Sequence, residues 1–170
     1  MSYRAPERIG RQHSVDDFIC ASDEQTIWLR EYARQADAAG TSRVFVATEE
    51  NSAAVVAYYG WCMASVELRR LPARMQQGTG RYAQPVALLT RLGVDIRHER
   101  KGLGSSLLQD VFGRLLSLSD EIGCRGILIH CETLEAMAFY RHLVPEFMHS
   151  PTDELHLLLL MKDIRRSLHR

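Results

Sequence analysis

The chain has 170 residues, 46% of them apolar and 25% charged, and its 21 basic side chains equal its 21 acidic ones. A filled apolar fraction with zero net charge excludes a disordered chain, and it excludes a protein held to nucleic acid by bulk charge alone. The length fits a single domain over 1–170 with a sizeable core. The basic side is lopsided, with 19 arginines and only 2 lysines, Lys101 and Lys162. Genome base composition gives such a bias, and so does phosphate recognition, which suits the guanidinium fork. The apolar run over 157–161 is too short to cross a membrane, and the first residues lack the apolar stretch of a secretory signal. Cys20, Cys62, Cys124 and Cys131 have no paired spacing, which predicts reduced thiols, a cytoplasmic setting and no metal site.

In chain order, residues 1–12 read as a loose leader. Ser22 or Asp23 caps a helix that runs to residue 39, with Ile27, Trp28, Tyr32 and Ala36 at helical spacing and Gly40 as its stop. Residues 43–48 read as a strand, 49–52 as a turn and 55–67 as a longer strand rich in β-branched and aromatic residues. A polar, arginine-bearing loop follows over 68–82. Residues 86–96 form a long strand whose internal Gly93 marks a bulge or a close backbone approach. After a glycine-bearing loop, Leu103, Leu107, Val111, Leu115, Leu118 and Ile122 share one helical face, and Gly123 ends that helix. A buried strand over 125–131, a short helix over 134–143 stopped by Pro145, and a last strand over 155–161 complete the chain. The latter half alternates β-α-β-α-β, which predicts an α/β fold with a partly parallel segment in a mixed central sheet flanked by helices.

The strongest local signal is the order strand, glycine loop, helix across Leu92, Gly93, Val94 and then Glu99, Arg100, Lys101, Gly102, Leu103, Gly104 and Ser105. Two glycines two apart let the backbone approach a ligand, and the helix behind them presents unpaired N–H groups and a positive dipole end. That combination suits an anion such as a pyrophosphate. A plain helix-entry turn explains the same pattern. The loop is neither a Walker A nor a complete dinucleotide fingerprint.

With its flanks, the loop resembles the acyl-CoA pyrophosphate loop of the GNAT acetyltransferases, Q/R-x-x-G-x-G/A, here Glu99-Arg-Lys-Gly102-Leu-Gly104. Glu99 stands where Gln or Arg is usual, so its side chain is expected to point away and backbone N–H groups to make the contacts. The resemblance covers about 18–164 and is closest to the GNAT toxins of bacterial toxin–antitoxin pairs. It rests on Trp28-Leu-Arg-x-Tyr-Ala, Gly40-Thr-Ser-Arg-Val-Phe-Val46, Ala57-Tyr-Tyr-Gly60, Val66-Glu-Leu-x-x-Leu-Pro72, Pro85-Val-x-Leu-Leu-x-Arg-Leu-x-Val94 and Ala138-Phe-Tyr140. The resemblance implies a GNAT fold and transfer of an acetyl group from acetyl-CoA to the α-amino group of an aminoacyl-tRNA, which blocks translation. It implies acetyl-CoA contacts at Leu92, Gly93, Val94 and Glu99 through Ser105, with Ser106 in reach, and a catalytic tyrosine at Tyr140. It also implies a ribbon-helix-helix antitoxin as partner and a homodimer.

The residues make sense of that chemistry. An α-amine with a pKa near ~8 is partly neutral at physiological pH and needs no strong base. Acyl transfer then needs orientation, oxyanion stabilisation and help for the leaving thiolate. A backbone N–H near Gly93, that of Val94, suits the thioester oxygen. Tyr140 suits the sulfur as a hydrogen-bond donor, while outside the resemblance Phe139-Tyr140 is a common core pair. Residues 69–101 hold eight basic side chains against Asp95 and Glu99. The stretch reads as a solvated face with acidic partners elsewhere, or as a platform on which Arg69, Arg70, Arg74, Arg81 and Arg97 meet tRNA phosphates. The second reading is favoured, with some of these arginines expected to pair with carboxylates instead. Glu67 reads as an exposed strand-end residue, with a base acting through water as the alternative; His98, His130, His142 and Cys131 read as structural, and Trp28 and Trp61 as core. Two further functions stay open: an acetyltransferase for a small-molecule or protein amine, which would not need the basic stretch, and a non-enzymatic binding protein with a decayed loop at Glu99.

Overall fold

The computed structural model describes residues 2–169. In chain order the elements are β1 (Glu7–Arg8), α1 (Asp23–Ile27), a π-helical stretch (Trp28–Tyr32), α2 (Ala33–Ala39), β2 (Arg43–Thr48), β3 (Val55–Val66) and a 3-10 turn (Leu68–Arg70). Then come α3 (Ala73–Gln76), β4 (Gln84–Val94), a second 3-10 turn (Ile96–His98), α4 (Leu103–Ser119) and β5 (Gly126–His130). The chain ends with α5 (Leu134–Leu143), β6 (Met148–His149), β7 (His156–Leu160) and α6 (Met161–Leu168). The seven strands form one mixed sheet in the order β1-β2-β3-β4-β5-β7-β6. β4 and β5 are parallel, with Ala87 beside Ile127 and Leu89 beside Ile129. A parallel pair needs a crossover, and α4 supplies it. The β1–β2, β2–β3, β5–β7 and β6–β7 pairs are antiparallel.

The chain packs as two compact units, one of residues up to 62 with 90–110, the other of 63–89 with 111 onward. In the first, Ser22 caps α1 by accepting from the Gln25 N–H at 3.2 Å. Gly40 closes α2 at φ +78°, a left-handed turn that glycine adopts without steric cost. Between them the π-helical stretch lays Trp28 flat on Tyr58, with ring centroids 6.0 Å apart. The core gathers Val15, Phe18, Leu29, Ala33, Val44, Val46, Val55 and Tyr58. The leader expected at 1–12 is not loose. Tyr3 bridges to Glu49, β1 pairs with β2, and Arg8 holds Asp37 at 2.8 Å. Its ladder bonds use the free edge of β2, a long-range pairing that a two-residue strand cannot announce by periodicity.

In the second unit, the alternate residues Leu128, Leu158 and Leu160 pack with Val66, Leu71, Met75 and Val86. On α4, Val111 and Leu115 are buried as expected. Leu118 and Ile122 are 44% and 55% exposed, so the apolar stripe outlasts the surface it covers. α3, β6 and α6 were not legible in the sequence. α6 buries Asp163 and Ile164, with Met161 and Leu168 half-buried at helical spacing from Ile164.

Candidate functional site

The loop after β4 is built on Asp95. Its carboxylate is 1% exposed, and it accepts from the Arg97 and Ile19 backbone N–H groups at 2.9 and 3.2 Å. The Arg97 guanidinium closes on it with two bonds, Nε to Oδ1 at 2.9 Å and Nη2 to Oδ2 at 2.8 Å. Burial pushes this carboxyl up. The Arg97 fork and the backbone donors outweigh burial and hold the group at about 2. Arg97 also donates to the Asp17 carbonyl at 2.7 Å. Its guanidinium is thus engaged inside the first unit, although 61% of the side chain is exposed.

Beyond this turn Glu99, Arg100, Lys101 and Gly102 are all exposed. Arg100 sits at φ +60° and Gly102 at φ +81°. A non-glycine residue in the left-handed region costs energy and is held by its surroundings. A Cβ on Gly102 would meet nothing within 4 Å, so backbone conformation and not crowding demands the glycine. The first helical bond of α4 runs from the Ser106 N–H to the Gly102 carbonyl at 3.0 Å. The N–H groups of Leu103, Gly104 and Ser105 precede it and have no acceptor within the helix. They sit at the positive end of a 17-residue helix, above an open surface, an arrangement that fits a pyrophosphate.

Leu92 and Val94 are half-buried at the end of β4, and Gly93 is buried between them. The close approach expected at Gly93 comes from the core of its own unit. A Cβ there would stand 3.0 Å from Tyr58 Cε1, 3.4 Å from Cys20 Sγ and 3.5 Å from Phe18 Cζ. Tyr58 cannot swing aside easily, because its hydroxyl donates to the Gln25 carbonyl at 2.6 Å.

Tyr140 lies in the second unit on α5, which Thr133 caps by accepting from the Ala136 N–H at 3.1 Å. It is 6% exposed and meets Phe139 and Phe147 edge-on at 5.3 and 6.3 Å. Its hydroxyl has no hydrogen-bond partner among the described residues. Burial first, and then the charge of a Cys131 thiolate, push the phenol well above its ordinary value. Burial alone pushes the Cys131 thiol up to about 12, so the thiol stays protonated and inert.

Most arginines of the basic stretch carry carboxylates. Arg69 pairs with Glu67 at 2.7 Å, Arg70 with Asp153 at 3.0 Å, Arg74 with Asp163 at 2.7 Å and Arg91 with Glu24 at 2.6 Å. With Arg97 on Asp95, at least five of the eight cations are engaged. Arg81 is exposed and has no ion pair among the described residues. The second unit does not bring its arginines together. Asp153 lies beside His156, which faces His130 at the end of β5 that leads to Cys131, so Arg70 is at the Tyr140 end. Arg74 reaches Asp163 just past Leu160, which pairs with Gly126 at the opposite end. Six residues of extended chain from 125 to 131 separate the two ends by about 20 Å. Asp95, Asp153 and Asp163 are the positions the sequence reading missed. Each lies close to an arginine only after folding, except Asp95, which is two residues from Arg97 and could have been paired with it. Among the described residues no cluster of His, Cys, Asp and Glu could hold a metal, and no helix is long and apolar enough to cross a membrane.

A mixed sheet with a parallel β4–β5 pair, a left-handed glycine loop leading into a long helix, and a buried tyrosine on the next helix define a GNAT-type acetyltransferase fold. Comparison with known proteins agrees. No protein-family model matches the chain. A tRNA-acetylating toxin of Mycobacterium tuberculosis (strain ATCC 25618 / H37Rv) is 40% identical over 163 residues, covering 96% of this chain and 95% of that protein. A probable toxin TacT of Sinorhizobium fredii (strain NBRC 101917 / NGR234) is 27% identical over 69% of this chain and 66% of its own. Among solved structures, a Tyr-to-Phe mutant of KacT superposes with a TM-score of 0.90 at 19% identity, covering 98% of this chain and 99% of that one. AtaT complexed with acetyl-methionyl-tRNAfMet superposes with a TM-score of 0.88, also at 19% identity, covering 97% and 98%. The chain belongs to the family of tRNA-acetylating toxins.

Proposed function

We propose that this chain is an acetyl-CoA-dependent N-acetyltransferase that acetylates the α-amino group of aminoacyl-tRNA and thereby stops translation. The observation that carries this reading is the 40% identity to a tRNA-acetylating toxin across nearly the full length of both chains. The neutral α-amine attacks the thioester carbonyl of acetyl-CoA, the carbonyl oxygen takes up negative charge, and the C–S bond then breaks. An amide forms, CoA leaves as a thiolate, and the proton released by the amine ends on the sulfur. The N–H groups of Leu103, Gly104 and Ser105 and the left-handed loop at Arg100 and Gly102 suit the donor's pyrophosphate. Leu92, Gly93 and Val94 suit its acyl arm, with Glu99 and Lys101 at the rim. The raised phenol keeps Tyr140 protonated through neutral pH, so it serves as a hydrogen-bond donor to the departing sulfur.

On the acceptor side, Arg69 and Arg70 are the arginines best suited to tRNA phosphates, since the Arg69–Glu67 pair is exposed and the Arg70–Asp153 pair is only half-buried, so a phosphate could take the place of either carboxylate. Arg97 and Arg74 are tied to carboxylates that are 1% exposed and serve the fold first. Arg81 remains a peripheral contact. A related structure shows AtaT bound to the C-terminus of the antitoxin AtaR. For this chain the partner is an antitoxin of the ribbon-helix-helix type, the assembly contains a homodimer, and the setting is the cytoplasm. Cell-free translation should stop when the chain and acetyl-CoA are added and recover on addition of fresh aminoacyl-tRNA. Uninterrupted translation would contradict the reading. A second reading, acetylation of a small-molecule or protein amine, draws on the carboxylates that engage Arg69, Arg70, Arg74, Arg91 and Arg97. It expects acetylation of free amines with no preference for charged tRNA.

A further inference from the structure

The second unit carries a groove of about 450 Å³ at the end of β5 away from Tyr140, lined by Arg74, Gln77, Cys124, Arg125, Lys162 and Arg165 among others. Four cations converge there. The carboxylates close to them are Asp163, which holds Arg74 at 2.7 Å, and Asp120, which stands 3.9 Å from Arg165 with both groups largely exposed. Arg125 and Lys162 have no carboxylate partner among the described residues. Arg125 is fixed from several directions. Its N–H donates to the Pro85 carbonyl, its carbonyl accepts from the Met161 N–H, and its Nη2 donates to the Met75 carbonyl at 2.9 Å. Its Nε is nevertheless buried without any acceptor. Arg125 is therefore a fixed cation whose charge no carboxylate among the described residues cancels at the wall of the groove.

We infer that this groove is a second footprint for nucleic acid, taking phosphodiester groups of the tRNA body about 20 Å along the sheet from the end that holds Tyr140. This deepens the proposed function and rests on it. With Arg74 held by Asp163, the positive charge left at the groove comes from Arg125, Lys162 and Arg165, the last of them only loosely matched by Asp120. Successive phosphates offer one charge each and several acceptor oxygens, which matches that supply of donors. A duplex carries a backbone charge about every 1.7 Å of its axis, so a 20 Å offset stays within one short arm.

The test uses the full chain with Lys162→Glu and Arg165→Glu together, both exposed and at the end of β5 opposite Tyr140. Acetyl-CoA affinity should not move. The apparent KM for aminoacyl-tRNA should rise about tenfold at low salt, and the slope of log KM against log salt should flatten by about 0.7–0.9 per lost contact, with kcat unchanged. The Lys162→Arg and Arg165→Lys pair should restore both. An unmoved KM and salt slope would overturn the inference. So would a variant that loses only thermal stabilisation by inorganic phosphate, or only binding of a poly-glutamate peptide, with tRNA kinetics intact. Anisotropy with uncharged tRNA separates the two readings. If the wild type binds tRNA through this groove but acetylates none, the acetylation reading fails and the footprint stands. If the double variant binds uncharged tRNA as tightly as wild type, the footprint fails.

Discussion

Replacing Asp95 by Asn tests how the donor loop is held. The carboxylate is 1% exposed, takes two bonds from Arg97 and accepts from two backbone N–H groups. Holding a carboxyl at about 2 against an ordinary 3.8 is worth about 2.4 kcal/mol, at 1.36 kcal/mol per tenfold in proton affinity. Water around the largely exposed Arg97 screens part of this, leaving about 1–2 kcal/mol. The folded pKa lies below the unfolded one, so the contribution is complete above about pH 4 and is lost as pH falls through about 2. Urea denaturation at pH 7 should find Asp95→Asn less stable by roughly that amount, and the gap should close between pH 4 and pH 2. The variant should also bind acetyl-CoA more weakly, since the Ile96–His98 turn leads straight into Glu99 and Arg100. Equal stability at pH 7, or a gap that persists at pH 2, would refute the reasoning.

Gly93→Ala should destabilise by about 1–3 kcal/mol through overpacking against Tyr58, seen as a lowered urea midpoint with the m-value kept. Gly104→Glu should abolish acetyl-CoA binding by steric block and like charge while the chain stays folded, which calorimetry and circular dichroism check together. Arg69→Ala with Arg70→Ala should raise the KM for aminoacyl-tRNA and flatten its salt dependence with acetyl-CoA binding kept, whereas Arg97→Ala should act mainly on stability.

Much of the scaffold was legible because its elements are long and periodic. The helix from Ser22 to Gly40 has a side-chain cap and a left-handed stop, and both signals are local. Gly102 and Gly104, with Leu103, Leu107, Val111 and Leu115 at helical spacing, announced the loop and α4 for the same reason. β1 and β6 were hidden because two residues show no period, and each depends on a distant strand edge. The fate of the basic stretch was hidden for a different reason. Arg70 and Arg74 are four residues apart, yet their carboxylates, Asp153 and Asp163, come from opposite ends of β7. Charge counted along the chain therefore overstated the charge presented at one place. Tyr140 was marked by resemblance, since Phe139-Tyr140 alone is also a packing pair, and both rings do pack.

The central claim is tested most directly by the mass of aminoacyl-tRNA after incubation with the chain and acetyl-CoA, for wild type beside Tyr140→Phe. The wild type should add one acetyl group to the α-amine, and the variant should keep its fold and acetyl-CoA affinity while losing most turnover. Acetylation of a free amine with aminoacyl-tRNA untouched, or a Tyr140→Phe rate within a few-fold of wild type, would contradict the account.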